Sequence, residues 1–193
     1  MPVTLPERSI WTADDLAELS HDGTRYEVLH GELVVRTLPV PAHQRVAMKL
    51  AVLFETAAPM APCTVFAPAE IHVSRTTVLE PDVAVYAGVD IVQRDWRTMP
   101  VPCLVIEVLS PSTRSHDRHR KRPEYLRHGI AHVWTVDPEA RVIERWSAAS
   151  EFPVVERHDF EVRLTSAHAE VRVSLAAVFG SAQASRVREG PQA

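Results

Sequence analysis

One stretch, residues 103–137, constrains the fold of this chain more than any other. It begins with an apolar run, Cys103–Leu109, and ends with a second one, His132–Val136, which stops at an Asp-Pro pair. Ser-Pro-Ser-Thr follows the first run and is typical of the turn between a strand and a helix. The charged segment between the two runs shows helical spacing. The stretch therefore predicts a strand, a turn, a helix and a second strand, as in a βαβ unit.

Two acids at apolar positions mark a candidate site. Glu107 is the one charge inside the first apolar run. A carboxylate is costly to bury there unless a cation pairs with it or binds it. Asp82, in the sequence Glu-Pro-Asp, directly precedes another short apolar run, Val83–Tyr86. Both acids therefore lie in or beside strands that we expect to be buried.

The predicted helix combines a site face, a proline and a basic surface. Asp117, Lys121 and Tyr125 are spaced by four, so a regular helix places them on one face. Pro123 disturbs this pattern because it lacks an N–H group and crowds the preceding turn. The segment Arg114–Arg127 is rich in cations, in contrast to the chain's net charge of −4. Such charge runs are usually solvated, but this one adjoins the two acids and is our candidate contact with DNA.

The other patterns complete an α/β fold in a single domain, residues 1–179. We expect a central mixed β-sheet flanked by helices, an N-terminal β-hairpin and C-terminal β additions. The predicted sheet strands are Val65–Val73, Val83–Tyr86, Cys103–Leu109 and His132–Val136, and the flanking helices are Ala42–Ala57 and Ser115–His128. The hairpin joins Arg25–Leu29 to Glu32–Arg36 around a His-Gly pair. Residues 180–193 are small and polar, which predicts a disordered tail.

Composition narrows the classes of function. With 46% hydrophobic and 24% charged residues, the chain of 193 residues is ordinary for a globular protein. A net charge of −4 disfavours a protein that coats nucleic acid, so such a contact needs a local basic patch. The two cysteines form no CxxC pattern, which favours a reducing compartment such as the cytoplasm. Without a signal-peptide pattern or a long apolar run, we expect neither secretion nor a membrane span.

Several motifs together carry a family resemblance. They are YEVLHGELVV, PAHQRV, EPDVAVY, LVIEVLSPST and DRHRKRPEYLRHGIAHVWTVDP. The set resembles the Uma-type restriction endonuclease family of the PD-(D/E)xK nuclease superfamily, and the resemblance runs from Thr12 to Phe179. It implies a restriction-endonuclease-like core and a metal-dependent endonuclease that hydrolyses phosphodiester bonds in DNA.

The resemblance also implies roles for individual residues. Asp82 and Glu107 would bind Mg²⁺ or Mn²⁺ together with the backbone carbonyl of Val108, since these ions prefer oxygen ligands. The superfamily pattern has a lysine two residues after the glutamate, where this chain has Leu109. Lys121 is therefore expected to supply the ammonium, and Lys121→Met to stop cleavage without harming the fold. Further positioning roles are expected for Glu32, His43 and Tyr125.

Other interpretations remain open from the sequence. Glu107 could simply pair with a cation, or the fold could bind nucleic acid or a protein partner without cleavage. A transition-metal site is a weaker hypothesis, because its four histidines match no standard spacing: His116, His119, His128 and His132. The sequence also leaves open whether Glu27 or Glu32 faces a site. Cutting both strands of a duplex would favour a two-fold homodimer.

Overall fold

The secondary structure comes from a computed structural model that describes residues 8–19, 24–36, 39–57, 63–88, 95–164 and 170–180. The strands in these ranges are β1 (Arg25–Leu29), β2 (Glu32–Arg36), β3 (Cys63–Phe66), β4 (Ile71–Ser74), β5 (Thr77–Leu79), β6 (Val83–Ala87), β7 (Leu104–Val108), β8 (His132–Asp137), β9 (Val142–Trp146), β10 (Val154–Glu156), β11 (Phe160–Val162) and β12 (Val171–Val173). The helices are α1 (Ala13–Leu16), α2 (Pro41–Ala57), α3 (Arg114–His116), α4 (Arg122–Arg127) and α5 (Leu175–Phe179), with a 3₁₀ turn at Trp96–Thr98. The tail predicted for 180–193 lies outside the described residues except for Gly180.

A six-stranded mixed sheet forms the centre of the fold, in the order β10-β9-β8-β7-β6-β3. Strands β7 and β8 are parallel, as the βαβ pattern predicts, and the other neighbours are antiparallel. Alternate residues of β7 point to opposite faces: Ile106 packs with α2, and Val105 packs with Tyr125 on the other side. The predicted central sheet flanked by helices is confirmed.

A four-stranded antiparallel sheet, in the order β2-β1-β5-β4, carries the predicted N-terminal hairpin. Strands β1 and β2 have the predicted bounds, and Leu29 pairs with Glu32 across the turn. His30 and Gly31 have φ angles of 54° and 82°, as a two-residue hairpin of left-handed turn residues requires. The hairpin register is therefore fixed by the His-Gly pair.

The single strand predicted for Val65–Val73 is wrong. The chain divides there into β3, which pairs with β6 in the central sheet, and β4, which pairs with β5 in the other sheet. Pro68 lies between them and has no N–H to donate to a strand ladder. The chain therefore leaves one sheet at this point and enters the other.

The predicted helix after β7 is continuous but not uniform. It runs from α3 through a π-helical turn, Asp117–Lys121, into α4, and the N–H of Arg122 bonds the carbonyl of Asp117. Pro123 explains the wider turn, because it cannot donate to the residue four before it and its ring would crowd that carbonyl. Residues 114–127 are called the helical segment below.

The C-terminal part adds strands around this core. The predicted C-terminal β additions include β9 and β10, which form a hairpin at the edge of the central sheet, and β11, which pairs with β12 in a two-stranded sheet. Leu175 and Val178 of α5 share a buried cluster with α2. No helix among the described residues is long and apolar enough to cross a membrane.

Candidate active site

Asp82 and Glu107 come together through strand pairing. Val83 of β6 pairs with Ile106 of β7, so the same antiparallel register sets Asp82 beside Glu107. One carboxylate oxygen of Asp82, Oδ2, accepts a 2.8 Å hydrogen bond from the N–H of Val108. This bond fixes Asp82 against the backbone of the residue that follows Glu107.

The Glu107 carboxylate lies sealed between β7 and the helical segment. Its side chain has no solvent exposure, and its Oε1 accepts a 2.6 Å hydrogen bond from the hydroxyl of Tyr125. The ammonium of Lys121 lies 2.6 Å from the same oxygen. The other oxygen, Oε2, is buried without a hydrogen-bond partner among the described residues. Glu107 therefore keeps one uncommitted oxygen inside the protein.

Burial has the largest effect on the pKa of Glu107. It raises the pKa of this carboxyl to about 8, and the charges of Asp117 and Asp82 add to the rise. The cations Lys121 and Arg36 act in the opposite direction but do not outweigh burial. Burial therefore favours the neutral carboxyl of Glu107, whereas a cation beside it, Lys121 or a metal ion, favours the charged carboxylate.

Lys121 bridges two carboxylates. Besides Glu107, its Nζ lies 2.5 Å from Oε1 of Glu27, and it donates a 3.3 Å hydrogen bond to the carbonyl of Glu80. Burial disfavours the charge on Lys121, but Glu107 and Glu27 outweigh this effect and raise the pKa of the amine. Lys121 therefore stays an ammonium ion over the physiological pH range.

The hairpin register distinguishes Glu27 from Glu32. Leu29 faces Glu32 across the turn, and Glu27 is two residues before Leu29, so all three side chains share one face. Glu32 stands next to the turn, is exposed and pairs with Arg120 at 2.6 Å. Glu27 lies farther from the turn and is fully buried. In the sequence, Glu27 lies farther from the His-Gly turn than Glu32 does, and this difference could have identified Glu27 as the buried acid.

Further charges surround Glu27. Arg36 lies with its Nη1 3.0 Å from Oδ1 of Asp117 and 3.6 Å from Oε2 of Glu27. His116 Nε2 is 4.0 Å from the same Glu27 oxygen. Burial alone would raise the pKa of Glu27, but Lys121 and Arg36 lower it below the usual value. Glu27 is therefore ionised and anchors the cationic side of the cluster.

Asp82 has more open surroundings than Glu107. His43, from the first turn of α2, lies with its Nε2 3.0 Å from Asp82 Oδ2, and Arg25 Nη1 is 3.7 Å from Oδ1. Burial opposes ionisation, but the hydrogen bond and charge of His43 outweigh it and lower the pKa of Asp82. These three residues line two neighbouring cavities of about 220 and 200 Å³. Asp82 is thus an ionised carboxylate on a cavity wall.

The structure brings most of the expected site residues together. Lys121 and Tyr125 both contact Glu107, and the Val108 backbone and His43 contact Asp82. Glu32 lies apart from this group, on the surface with Arg120. Glu27 occupies the interior position that sequence reasoning did not assign.

A family model described as "Uma2: Putative restriction endonuclease" matches residues 13–178. The chain belongs to the Uma2 family. Among solved structures, it is similar to "a putative nuclease belonging to DUF820 from Anabaena variabilis ATCC 29413", with a TM-score of 0.69 and 18% identity over 88% of this chain and 97% of that chain. That likeness shows a shared fold. No curated protein matches the chain. Membership of the Uma2 family supports a nuclease-type function.

The basic surface of this Uma2 protein is largely balanced by acids from other elements. Arg118 makes two hydrogen bonds to Glu144, at 2.7 and 3.0 Å. Other arginines of the helical segment are also engaged: Arg114 with Asp137 and Glu139, Arg120 with Glu32, Arg127 with Glu124 of the same helix, and Arg122 over the ring of Trp146. The predicted excess of positive charge is therefore smaller on the folded surface than in the sequence.

Within the described residues, no three His, Cys, Asp or Glu side chains converge as they would around a metal ion. Two of the four histidines of the weaker hypothesis, His116 and His132, have separate surroundings. His132 Nε2 is 3.1 Å from the carbonyl of Leu164, whereas His116 lies near Glu27. A metal ion in this Uma2 protein would need backbone oxygen or water beside the Asp82–Glu107 pair.

Proposed function

We propose that this Uma2 protein is a metal-dependent endonuclease that hydrolyses phosphodiester bonds in DNA. One observation carries the proposal: Asp82 and Glu107 are neighbours on adjacent strands, and the Lys121 ammonium lies 2.6 Å from Glu107. Hydrolysis of a phosphodiester needs positive charge near the phosphate and an activated water molecule. Two carboxylates beside a fixed ammonium provide a place for such charge.

The residues present suit a hard divalent ion. Asp82, Glu107 and the carbonyl of Val108 would hold Mg²⁺ or Mn²⁺, and the buried Oε2 of Glu107 has no partner among the described residues. Magnesium commonly binds through one or two carboxylates and keeps several water molecules, so a larger cluster of protein ligands is not required. When bound, the ion would polarise the phosphate and lower the pKa of a bound water.

Lys121 has an electrostatic role in this proposal. It is held as an ammonium by two carboxylates, so it is poorly suited to accept a proton from water. A fixed positive charge can instead stabilise the negative charge that builds on the phosphate oxygens in the transition state. Lys121 of the helical segment thus supplies the cation that the superfamily pattern places two residues after the glutamate, where this chain has Leu109.

Substrate would approach from the side of Asp82. Glu107 is sealed, whereas Asp82 and Arg25 line both cavities, and one of these is also bordered by Ser110–Thr113. His43 donates from Nε2 to the Asp82 carboxylate and so orients this carboxylate toward the open side. A phosphodiester in the cavity would meet Asp82 first.

A nicking assay on supercoiled plasmid, with Mg²⁺, Mn²⁺ or a chelator, tests the proposal. Asp82→Asn keeps the size of the side chain but removes its charge, and we expect cleavage to fall at least about a hundredfold. Asp95→Asn is the matched control, because Asp95 caps an exposed 3₁₀ turn. Equal cleavage by Asp82→Asn and the wild type would contradict the proposed site.

A non-cleaving protein that binds nucleic acid is the second candidate function. The observation that favours it is that Glu107 Oε1 is already bonded by both Lys121 and Tyr125. If the wild type binds DNA in a gel-shift assay but cuts it with neither ion, this second function replaces the first.

A further inference from the structure

We propose that Glu27 is a positioning residue: it holds Lys121 and shares its charge, so that Glu107 stays available to a metal ion. This inference rests on the proposed metal-dependent function. It assigns a role to the buried acid of the hairpin rather than to the exposed Glu32.

Glu27 is itself rigidly held. Its Oε1 accepts a 2.9 Å hydrogen bond from the N–H of Glu80, besides its 2.5 Å contact with the Lys121 ammonium. The Glu80 amide belongs to the backbone between β5 and β6, two residues before Asp82. Glu27 therefore ties the lysine to the same piece of backbone that carries Asp82.

The sharing of one ammonium by two carboxylates is the physical basis of the proposal. Lys121 lies 2.5 Å from Glu27 and 2.6 Å from Glu107, so neither acid has the cation to itself. If Glu27 lost its charge, Lys121 would pair with Glu107 alone and compete with a metal ion for that carboxylate. Glu27 thus prevents Lys121 from forming a one-to-one ion pair with Glu107 that would exclude a metal ion.

Isothermal titration calorimetry with Mn²⁺ in the absence of DNA tests this role. Glu27→Gln keeps the size of the side chain and an oxygen that accepts from Lys121 and Glu80, but it removes the charge. We expect the Kd for Mn²⁺ to rise about tenfold, within the range seen when partners of metal ligands are replaced. Glu32→Gln removes the same charge from the same hairpin, and its Kd should match the wild type.

A double-mutant cycle separates positioning from a general field effect. In a Lys121→Met background, Glu27→Gln should no longer change the Kd for Mn²⁺, because its effect passes through the lysine. An equal loss of affinity in both backgrounds would overturn the proposal. So would an unchanged Kd in Glu27→Gln alone.

Nitrogen NMR of the lysine amines gives a readout that survives if Lys121→Met does not fold. The sequence holds two lysines, Lys49 and Lys121, so the signals are readily told apart. Glu27→Gln should shift the Lys121 signal and leave Lys49 unchanged, and an unshifted Lys121 signal would overturn the proposal. A wild type that binds no Mn²⁺ would overturn the metal-dependent function as well, whereas normal wild-type binding with an unchanged variant overturns only the role of Glu27.

Discussion

The inner and outer faces of the helical segment both consist of ion pairs, but their surroundings differ. On the inner face, Asp117, Lys121 and Tyr125 have no solvent exposure. On the outer face, the side chains of Arg120 and its partner Glu32 are 42% and 60% exposed. One helix therefore forms ion pairs both in the protein interior and at the solvent-exposed surface.

The comparison shows that the number of charged residues in a stretch of sequence does not tell how much each ion pair contributes to stability. An exposed pair is screened by water and contributes about 0–1 kcal/mol. A buried pair has lost its hydration, so removing one partner leaves an uncompensated charge. The inner face is thus the part of the segment where single substitutions have large consequences.

Lys121→Met should give the largest effect. It leaves Glu27 and Glu107 buried without their shared cation, so we expect the free energy of unfolding to fall by about 3–5 kcal/mol. Urea denaturation measures this loss. The expectation from the sequence that this change spares the fold is therefore revised, because the lysine is fully buried.

The double variant Glu27→Gln/Lys121→Met sharpens the same test. It removes one acid together with the cation, and it should be more stable than Lys121→Met alone. If Lys121→Met is as stable as the wild type, the buried pair contributes nothing net and the contrast between the two faces fails.

The pH dependence of stability should report Glu107. Its folded pKa is raised to about 8 from the ordinary value of 4.5, so the folded protein binds more protons than the unfolded chain between these pH values. The contribution is complete below pH 4.5 and is lost as the pH rises through about 8. In chelator, the free energy of unfolding of the wild type should fall over this window.

Glu107→Gln should flatten that part of the profile, because the amide keeps a carbonyl acceptor for Lys121 and Tyr125 but does not titrate. Urea denaturation at several pH values measures both proteins. A variant that keeps the wild-type slope between pH 4.5 and 8 would assign the slope to another group.

Tyr125→Phe should have a smaller effect, confined to one hydrogen bond. The hydroxyl donates to Glu107 Oε1 at 2.6 Å in a fully buried site, so we expect a loss of about 1–3 kcal/mol. Tyr86→Phe is the matched control, because Tyr86 is also buried but packs against Phe66 rather than beside Glu107. Equal losses for the two variants would show that the Glu107 contact is not what matters.

Local patterns predicted the elements well. The His-Gly pair set the hairpin, and the spacing of four placed Asp117, Lys121 and Tyr125 on one buried face although Pro123 introduces a π turn. Both signals depend on neighbours in the chain. The register of a hairpin and the face of a helix can therefore be predicted without knowing which distant residues they contact.

The remaining features depend on distant partners. Glu27 meets Lys121 across 94 positions, and the acids that balance the basic segment come from other strands and turns. Likewise, Val65–Val73 reads as one strand until the pairing of its two halves with different sheets is known. An acid in a half-buried strand shows no sign of full burial until its cation is located.

The smallest effect should come from the outer face, and its sign is informative. Glu32→Gln and Arg120→Ala each remove one half of an exposed pair, so both should change stability by only about 0–1 kcal/mol.

If the helical segment contacts DNA phosphates, Glu32→Gln frees Arg120 and should strengthen DNA binding. Arg120→Ala should weaken it and reduce the salt dependence by about one charge. Fluorescence anisotropy with a labelled duplex at several salt concentrations measures both changes. Identical salt slopes for the two variants and the wild type would place the DNA on another surface and leave the outer face as a purely intramolecular set of ion pairs.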